Sequence, residues 1–177
     1  MKRTLQFGAL AGAAALVLAG CSSSPSPASG PSGDASTEAS VPAGPRVALG
    51  YEGGVLVLGG DELEVIGEFD SEDFIRLNAA GDGRHVMVTT SEGFQLLDVQ
   101  QPELTDLVVP AAAAGHVVVH GGKTVLYDDA TSDTTIFDTA DLAQLGGELP
   151  DAEVVPGVEA HHGVSVELED GTLLTTV

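Results

Sequence analysis

Short apolar runs, broken by glycine and aspartate, recur from Arg46 to the last residue of the chain. They are five to eight residues long, rich in valine, leucine, isoleucine and threonine, and several alternate apolar with polar positions. Such runs predict β-strands, and their regular interruption by turn residues is typical of an all-β domain. The one helix-like stretch, TADLAQL at residues 139–145, is short enough to be a turn within a loop.

The strand-like runs form a repeat with a period of about 40 residues. Four segments begin equivalent strands at spacings of 38, 39 and 49 residues, and they start at Arg46, Arg84, Lys123 and Thr172. Three start with a basic residue, and in two of them the next strand ends in aspartate, at Asp98 and Asp138. A further strand precedes the last three segments, and a more acidic strand follows each of the first three. Four-stranded units at this period indicate β-propeller blades of the WD40 or a related kind, in preference to a β-sandwich of ordinary hairpins.

The number of units predicts an incomplete ring. Residues 46–177 hold about three and a half blades, that is, three units and the first two strands of a fourth. Propellers close with about 4 to 8 blades. We therefore expect a partial β-propeller whose ring is not closed, with a strand edge left unpaired near Val177. This pattern fits a truncated form of a longer propeller, or one half of a split one.

Residues 1–21, MKRTLQFGALAGAAALVLAGC, predict a lipoprotein signal peptide. Lys2 and Arg3 precede an apolar run that is short for a membrane span, and small residues lead to a cysteine. The ending LAGC resembles the lipobox of bacterial lipoproteins, in which the cysteine is acylated after cleavage. We expect an extracytoplasmic protein, lipid-anchored to the bacterial cell membrane at Cys21; the alternative is an ordinary secreted protein with an incidental cysteine.

The segment from residue 22 to residue 45 predicts a disordered tether, because it is rich in serine, proline and glycine and has no aromatic residue. After loss of Lys2 and Arg3, four basic residues remain against 27 acidic ones, a formal net charge of −23. Such a surface repels nucleic acid and attracts cations, so we exclude a nucleic-acid partner. The acidity also fits a simple solubility role.

Histidines are the best candidates for chemistry. His116 begins the first strand of the third unit, and His161 and His162 begin the first strand of the fourth. First strands of propeller blades line the central channel, so these residues should converge at one mouth of it. Neutral imidazole is a preferred zinc ligand, and we therefore predict a Zn²⁺ site at these three histidines. Hydrogen bonding to a neighbouring loop is the alternative role, because their spacing matches no local metal motif.

The remaining polar residues predict no catalytic centre. His85 begins the second strand of its blade and is assigned a structural role, whereas His120 beside a Gly-Gly turn fits a surface role or metal ligation equally. Asp128 and Asp129 fit turn capping. No nucleophile elbow, phosphate-binding loop or dinucleotide motif is present. A propeller lactonase needs a carboxylate cage, and the first strands supply only Arg76, Asn78 and Glu167.

Three stretches carry a family resemblance: LNAAGDGRHVMVTTSEGFQLLDV, GHVVVHGGKTVLYDDATSDTTIFD and HHGVSVELEDGTLL. Together with an exported chain, they resemble the AztD family of secreted β-propeller zinc metallochaperones, over residues 46–177 and the N-terminal half of such a protein. The resemblance implies a zinc site with histidine ligands near the channel. It also implies, as partner, the solute-binding protein of an ABC zinc importer.

The sequence therefore predicts a non-enzymatic, zinc-binding lipoprotein that delivers zinc to an importer's solute-binding protein. Zinc would be held by imidazoles in a solvent-reachable site and passed on by ligand exchange. The alternative function is a non-catalytic β-propeller scaffold at the cell surface that binds a protein or glycan. A scaffold of this kind would contain no stoichiometric zinc.

Overall fold

The computed structural model describes residues 43–72 and 75–177. The predicted signal peptide, the lipid-attachment residue Cys21 and most of the tether lie outside the described residues. Within the described ranges, no helix combines the length and apolar character needed to cross a membrane.

The described residues form four antiparallel sheets in which each strand pairs with its neighbours in sequence. The first sheet consists of β1 (Arg46–Tyr51), β2 (Gly54–Gly59) and β3 (Glu64–Asp70). The second consists of β4 (Leu77–Ala79), β5 (His85–Thr90), β6 (Gly93–Asp98) and β7 (Glu103–Pro110). The third consists of β8 (Ala114–His120), β9 (Lys123–Asp128), β10 (Thr134–Asp138) and β11 (Glu153–Val155), and the fourth of β12 (Ser165–Glu167) and β13 (Leu173–Thr175).

This arrangement confirms the predicted fold class. The described part of the chain is nearly all β, and none of its sheets closes on itself, as in a partial propeller. The helix-like stretch contributes only the four-residue α1 (Thr139–Leu142) between β10 and β11. Strands β4, β8 and β12 are the first strands of successive sheets; β8 contacts both of the others.

Apolar side chains hold the first sheet against the second. Val55 and Val57 of β2 are fully buried in one cluster with Val88 of β5 and Leu97 of β6. Burying a valine or leucine side chain fully stabilises a fold by about 1.5 to 3 kcal/mol. This interface is therefore a hydrophobic core between two sheet faces.

A second apolar cluster joins the second sheet to the third. Met87, Phe94 and Leu96 point from the second sheet, opposite to Val88 and Leu97, because side chains alternate across a strand. They pack with third-sheet residues, which include Leu126 and Phe137. The second sheet is thus buried on both faces, as in stacked blades.

Polar contacts, in contrast, join the third sheet to the fourth. The hydroxyl oxygens of Thr134 in β10 and Ser165 in β12 lie 2.8 Å apart, and Nζ of Lys123 in β9 lies 3.9 Å from Oε1 of Glu167 in β12. Neither apolar cluster includes a described residue beyond position 155. The fourth sheet is therefore positioned mainly by hydrogen bonds.

The Gly121-Gly122 turn sets the register of β8 against β9. Both glycines have positive φ, 55° and 81°, as a two-residue type I′ hairpin requires. His120 pairs with Lys123 across this turn, and the register shifts between Ala114 and Val117. This pairing places the start of β8 beside the end of β9.

The repeated basic residue and the repeated aspartate form ion pairs in the second and third sheets. Arg84 Nη2 lies 2.6 Å from Asp98 Oδ2, and Lys123 Nζ lies 3.0 Å from Asp138 Oδ1. Because β5 and β6 are antiparallel, the start of one strand faces the end of the other. The repeat recognised in the sequence is thus a pair of contacting residues.

Asp98 is the more buried of the two aspartates. Its side chain is 6% exposed, and it also accepts hydrogen bonds from the amides of Gln100 and Gln101. Burial by itself raises its pKa, but the bonds from Arg84 and from these amides hold the pKa of Asp98 below its ordinary value. A carboxylate whose pKa is lowered in the folded state stabilises the fold above its unfolded pKa of about 3.9. That stability is lost as pH falls through the folded pKa.

We expect Asp98→Asn to lower the free energy of unfolding by about 1 to 3 kcal/mol at pH 7, because it leaves Arg84 without its charged partner. The difference from wild type should shrink as pH falls below about 4, the unfolded pKa, toward the lower pKa of Asp98 in the folded protein. Chemical denaturation at pH 7 and pH 3 measures both effects. Asp138→Asn is the matched control, because its side chain is 62% exposed and exposed pairs contribute at most about 1 kcal/mol. Equal losses in the two variants would contradict the prediction.

Candidate metal centre

Two of the predicted histidines face each other across the third and fourth blades. His116 lies in β8, and His162 lies in the connection between β11 and β12, 46 residues later. Their Nε2 atoms are 3.4 Å apart, and the ring centroids are 5.1 Å apart with 54° between the planes. The fold therefore directs one nitrogen of each imidazole at the same small volume.

The second ring nitrogen of His162, Nδ1, contacts the carboxylate of Asp129. This nitrogen lies 2.7 Å from Oδ2 of Asp129, and the amide of Gly163 donates to Oδ1 of Asp129 at 3.2 Å. The His162 side chain is 65% exposed, whereas that of Asp129 is 19% exposed. Solvent and other proteins can thus reach His162, while its carboxylate partner is held by the protein.

His161, although adjacent in sequence, is engaged elsewhere. Its ring nitrogens contact four residues: Glu159 O (2.8 Å) and Ser132 Oγ (3.0 Å) at Nδ1, and Tyr127 Oη (2.9 Å) and Thr176 O and Oγ1 (2.9 and 3.3 Å) at Nε2. Both nitrogens therefore face oxygen atoms of the protein. The structure brings together two of the three predicted ligands, His116 and His162, and places the third in a hydrogen-bond network.

Ser132 anchors the segment that carries these histidines. It is buried, has a positive φ of 60°, donates to Glu159 O at 2.7 Å and accepts from the amide of His161 at 3.0 Å. Tyr127, which is fully buried, supplies the hydroxyl that meets the His161 ring. Together these contacts secure the chain next to His162.

The two aspartates that follow β9 have different roles. Asp128 accepts from the amides of Ala112, Ala113 and Ala130 at 2.7, 3.0 and 2.9 Å, which confirms turn capping. Burial opposes these bonds by raising the pKa of Asp128, yet they hold it below the ordinary value. Asp129, also predicted to cap a turn, contacts His162 and Gly163 instead. The role of Asp129 at the histidine site is absent from the sequence prediction.

The remaining histidines lie apart from the pair. His85 is buried and its Nδ1 contacts Asp82, in agreement with a structural role. Burial raises the pKa of Asp82, but hydrogen bonds from His85 and the amide of Arg84 lower it below its usual range overall. His120 is exposed at the end of β8, beside the glycine turn.

Within residues 43–72 and 75–177, no three His, Cys, Asp or Glu side chains are grouped so as to hold a metal ion. The pair of His116 and His162 therefore offers two imidazole ligands and leaves the rest of a coordination shell open. Glu167, considered above for a lactonase cage, lies 3.9 Å from Lys123 Nζ. It belongs to no such group.

Fold and site together define an open, propeller-like β protein with a two-histidine surface site. Among solved structures, the chain is similar to apo AztD from Citrobacter koseri, with a TM-score of 0.56 and 19% identity over 68% of this chain and 36% of that one. It is also similar to a crystal structure of Citrobacter koseri AztD, with a TM-score of 0.53 and 17% identity over the same shares. No family model and no curated protein matches the sequence. The match establishes a shared fold, and the chain spans about a third of the length of these neighbours.

Proposed function

We propose that this chain binds zinc between His116 and His162 and passes it to another protein. The observation that carries this proposal is the 3.4 Å separation of the two Nε2 atoms. Two nitrogens bound to a tetrahedral zinc ion at about 2.0 to 2.1 Å lie about 3.3 to 3.4 Å apart. The separation of the two nitrogens therefore already matches that of two ligands of one zinc ion.

Zinc is the cargo in this proposal, and an incomplete coordination shell allows the ion to be released to another protein. Two protein ligands leave two positions for water or for the side chains of a receiving protein, so the ion moves by ligand exchange. The exposed side chain of His162 allows that approach. Acidic residues outnumber basic ones 27 to 6 in the full chain, and their field raises the local concentration of cations.

The proposed partner is the solute-binding protein of an ABC zinc importer, and the chain acts as a non-enzymatic metallochaperone. The sequence resemblance and the shared fold with Citrobacter koseri AztD support this partner. The LAGC sequence before Ser22 supports lipid attachment at Cys21 and an extracytoplasmic location. Anchoring would keep the chaperone near a membrane importer.

We expect the purified wild-type chain to bind one zinc ion per molecule, because the described residues contain one such histidine pair. Elemental analysis after dialysis, with a zinc-indicator competition titration, measures stoichiometry and affinity. His120→Ala is the matched control: it removes an exposed histidine of β8 and should leave both values unchanged. Absence of stoichiometric zinc would contradict the proposal.

A scaffold that binds a protein or glycan is the second candidate function. A cavity of about 450 Å³ between the third and fourth sheets favours it, and Val155, Val158 and Leu173 contribute to its apolar lining. Cavities of this size commonly hold small ligands. Zinc analysis separates the two functions, because a scaffold contains no stoichiometric metal.

A further inference from the structure

The turn after β9 places a carboxylate against the proposed metal site without offering it as a ligand. Oδ2 of Asp129 lies 2.7 Å from Nδ1 of His162, on the side of the ring away from His116. Oδ1 accepts the amide of Gly163, the next residue after the histidine. One side chain therefore holds both the ring and the backbone of the segment that bears His162.

This contact selects the tautomer of His162. A neutral imidazole carries a proton on one nitrogen and a lone pair on the other. Because a carboxylate only accepts hydrogen bonds, Asp129 requires the proton on Nδ1 and leaves the lone pair on Nε2. That lone pair is directed at His116 and at the volume where a metal ion would bind.

The chain makes room for this carboxylate with a glycine. A Cβ atom on Gly115 would lie 2.6 Å from Oδ1 of Asp129 and 2.7 Å from the carbonyl oxygen of Tyr127. Both distances are far shorter than normal contacts, so any other residue would displace the carboxylate or the strand. Gly115 directly precedes His116, so a substitution at Gly115 would affect both His116 and the carboxylate that contacts His162.

We propose that Asp129 is a positioning residue of the histidine pair, which holds His162 with its Nε2 lone pair toward His116, and that Gly115 provides the space for it. This inference rests on the proposed zinc binding. Outer carboxylates that hydrogen-bond to metal-binding histidines typically change metal affinity by 10- to 100-fold. The role differs from that of a ligand, because a ligand contacts the metal directly and changes the absorption spectrum of a substitute ion such as cobalt(II).

The test combines Asp129→Asn with cobalt(II), whose visible absorption bands report its ligands, and with zinc competition. We expect affinity for both metals to fall by about 10- to 100-fold while the shape of the cobalt bands at saturation stays the same. Unchanged affinity would overturn the proposal. A changed band shape would also overturn it, since it would make Asp129 a ligand.

Asp128→Asn is the matched control, because it removes the neighbouring carboxylate from the same turn. Asp128 caps three amides, so this variant should lower the midpoint of chemical denaturation and leave metal affinity within about threefold of wild type. Gly115→Ala should lower metal affinity in the same way as Asp129→Asn. Equal affinity losses in Asp128→Asn and Asp129→Asn would overturn a specific positioning role.

Nitrogen-15 NMR of the metal-free protein gives a readout that does not depend on zinc. His162 should carry its proton on Nδ1 in wild type and lose that preference in Asp129→Asn. A wild-type proton on Nε2 would overturn the role of Asp129 even if zinc binds. Conversely, lack of metal binding by wild type would refute the proposed function, while the NMR result would still decide how Asp129 orients His162.

Discussion

His162→Ala is expected to lower zinc affinity at least about 100-fold, which corresponds to about 2.7 kcal/mol of binding free energy. The substitution removes one of the two imidazoles whose Nε2 atoms lie 3.4 Å apart, and leaves His116 as the only remaining nitrogen ligand of the pair. A single imidazole cannot chelate. Competition titration with a zinc indicator measures the loss, and His116→Ala should show the same effect.

His161→Ala is the sharpest control for this experiment, because it removes the adjacent histidine. Its ring contacts Tyr127 and the carbonyl oxygens of Glu159 and Thr176, so the expected effect is lower stability with a much smaller loss of zinc affinity. Chemical denaturation and zinc titration separate these effects. Equal affinity losses in folded His161→Ala and His162→Ala would show that all three sequence-predicted histidines bind the metal. Unchanged zinc content in the triple alanine variant would refute a histidine site.

Phe94→Ala is expected to lower the free energy of unfolding by about 3 to 5 kcal/mol. Phe94 is 1% exposed and lies in the apolar cluster that joins the second sheet to the third. Domains of this kind are typically stable by only about 5 to 15 kcal/mol, so the loss is a large fraction of the total. Urea denaturation at pH 7 with an unchanged m-value measures it.

Val154→Ala provides the comparison for this core substitution. Val154 lies in β11 of the third sheet and is 58% exposed, so its truncation should change stability by no more than about 0.5 kcal/mol. A loss below about 1 kcal/mol for Phe94→Ala would contradict face-to-face packing of the second and third sheets. Such a result would mean that the apolar cluster between these two sheets contributes little to the free energy of unfolding.

The position of the histidine pair relates the fold to the proposed transfer. His116 belongs to the third sheet, whereas His162 precedes the fourth sheet, which is attached through polar groups such as Thr134 and Ser165. A bound ion would therefore connect two blades that share little apolar surface. The His162 side chain is 65% exposed, so another protein would be able to compete for such an ion.

Most strands were predictable from sequence because each apolar run carries its own signal. The runs RVALGY and HVMVTT coincide with β1 and β5 in both bounds. The ordered strands β4 and β12 are shorter than the runs that predicted them, with three residues each. A turn that contains a glycine with positive φ follows each strand, at Gly81 and at Gly171.

The site was only partly predictable, because the roles of adjacent residues depend on distant partners. Nothing local distinguishes His161, which contacts Tyr127 and Ser132, from His162, which contacts Asp129 and His116. A usable signal for Asp129 did exist. The two strands pair outward from the glycine turn, so the end of β9 lies beside the start of β8. Asp129, which directly follows β9, is therefore expected near His116.

Local periodicity and turn chemistry were sufficient to establish the all-β class, the blade-like repeat and the candidate histidines, because these features depend on residues close together in the chain. The pairing of Arg84 with Asp98 was visible as a repeat, and the fold shows it to be an ion pair. The choice of His162 over His161 as the partner of His116 arose only on folding. It depends on hydrogen bonds from residues about 30 positions away, and such contacts leave no periodic trace in the sequence.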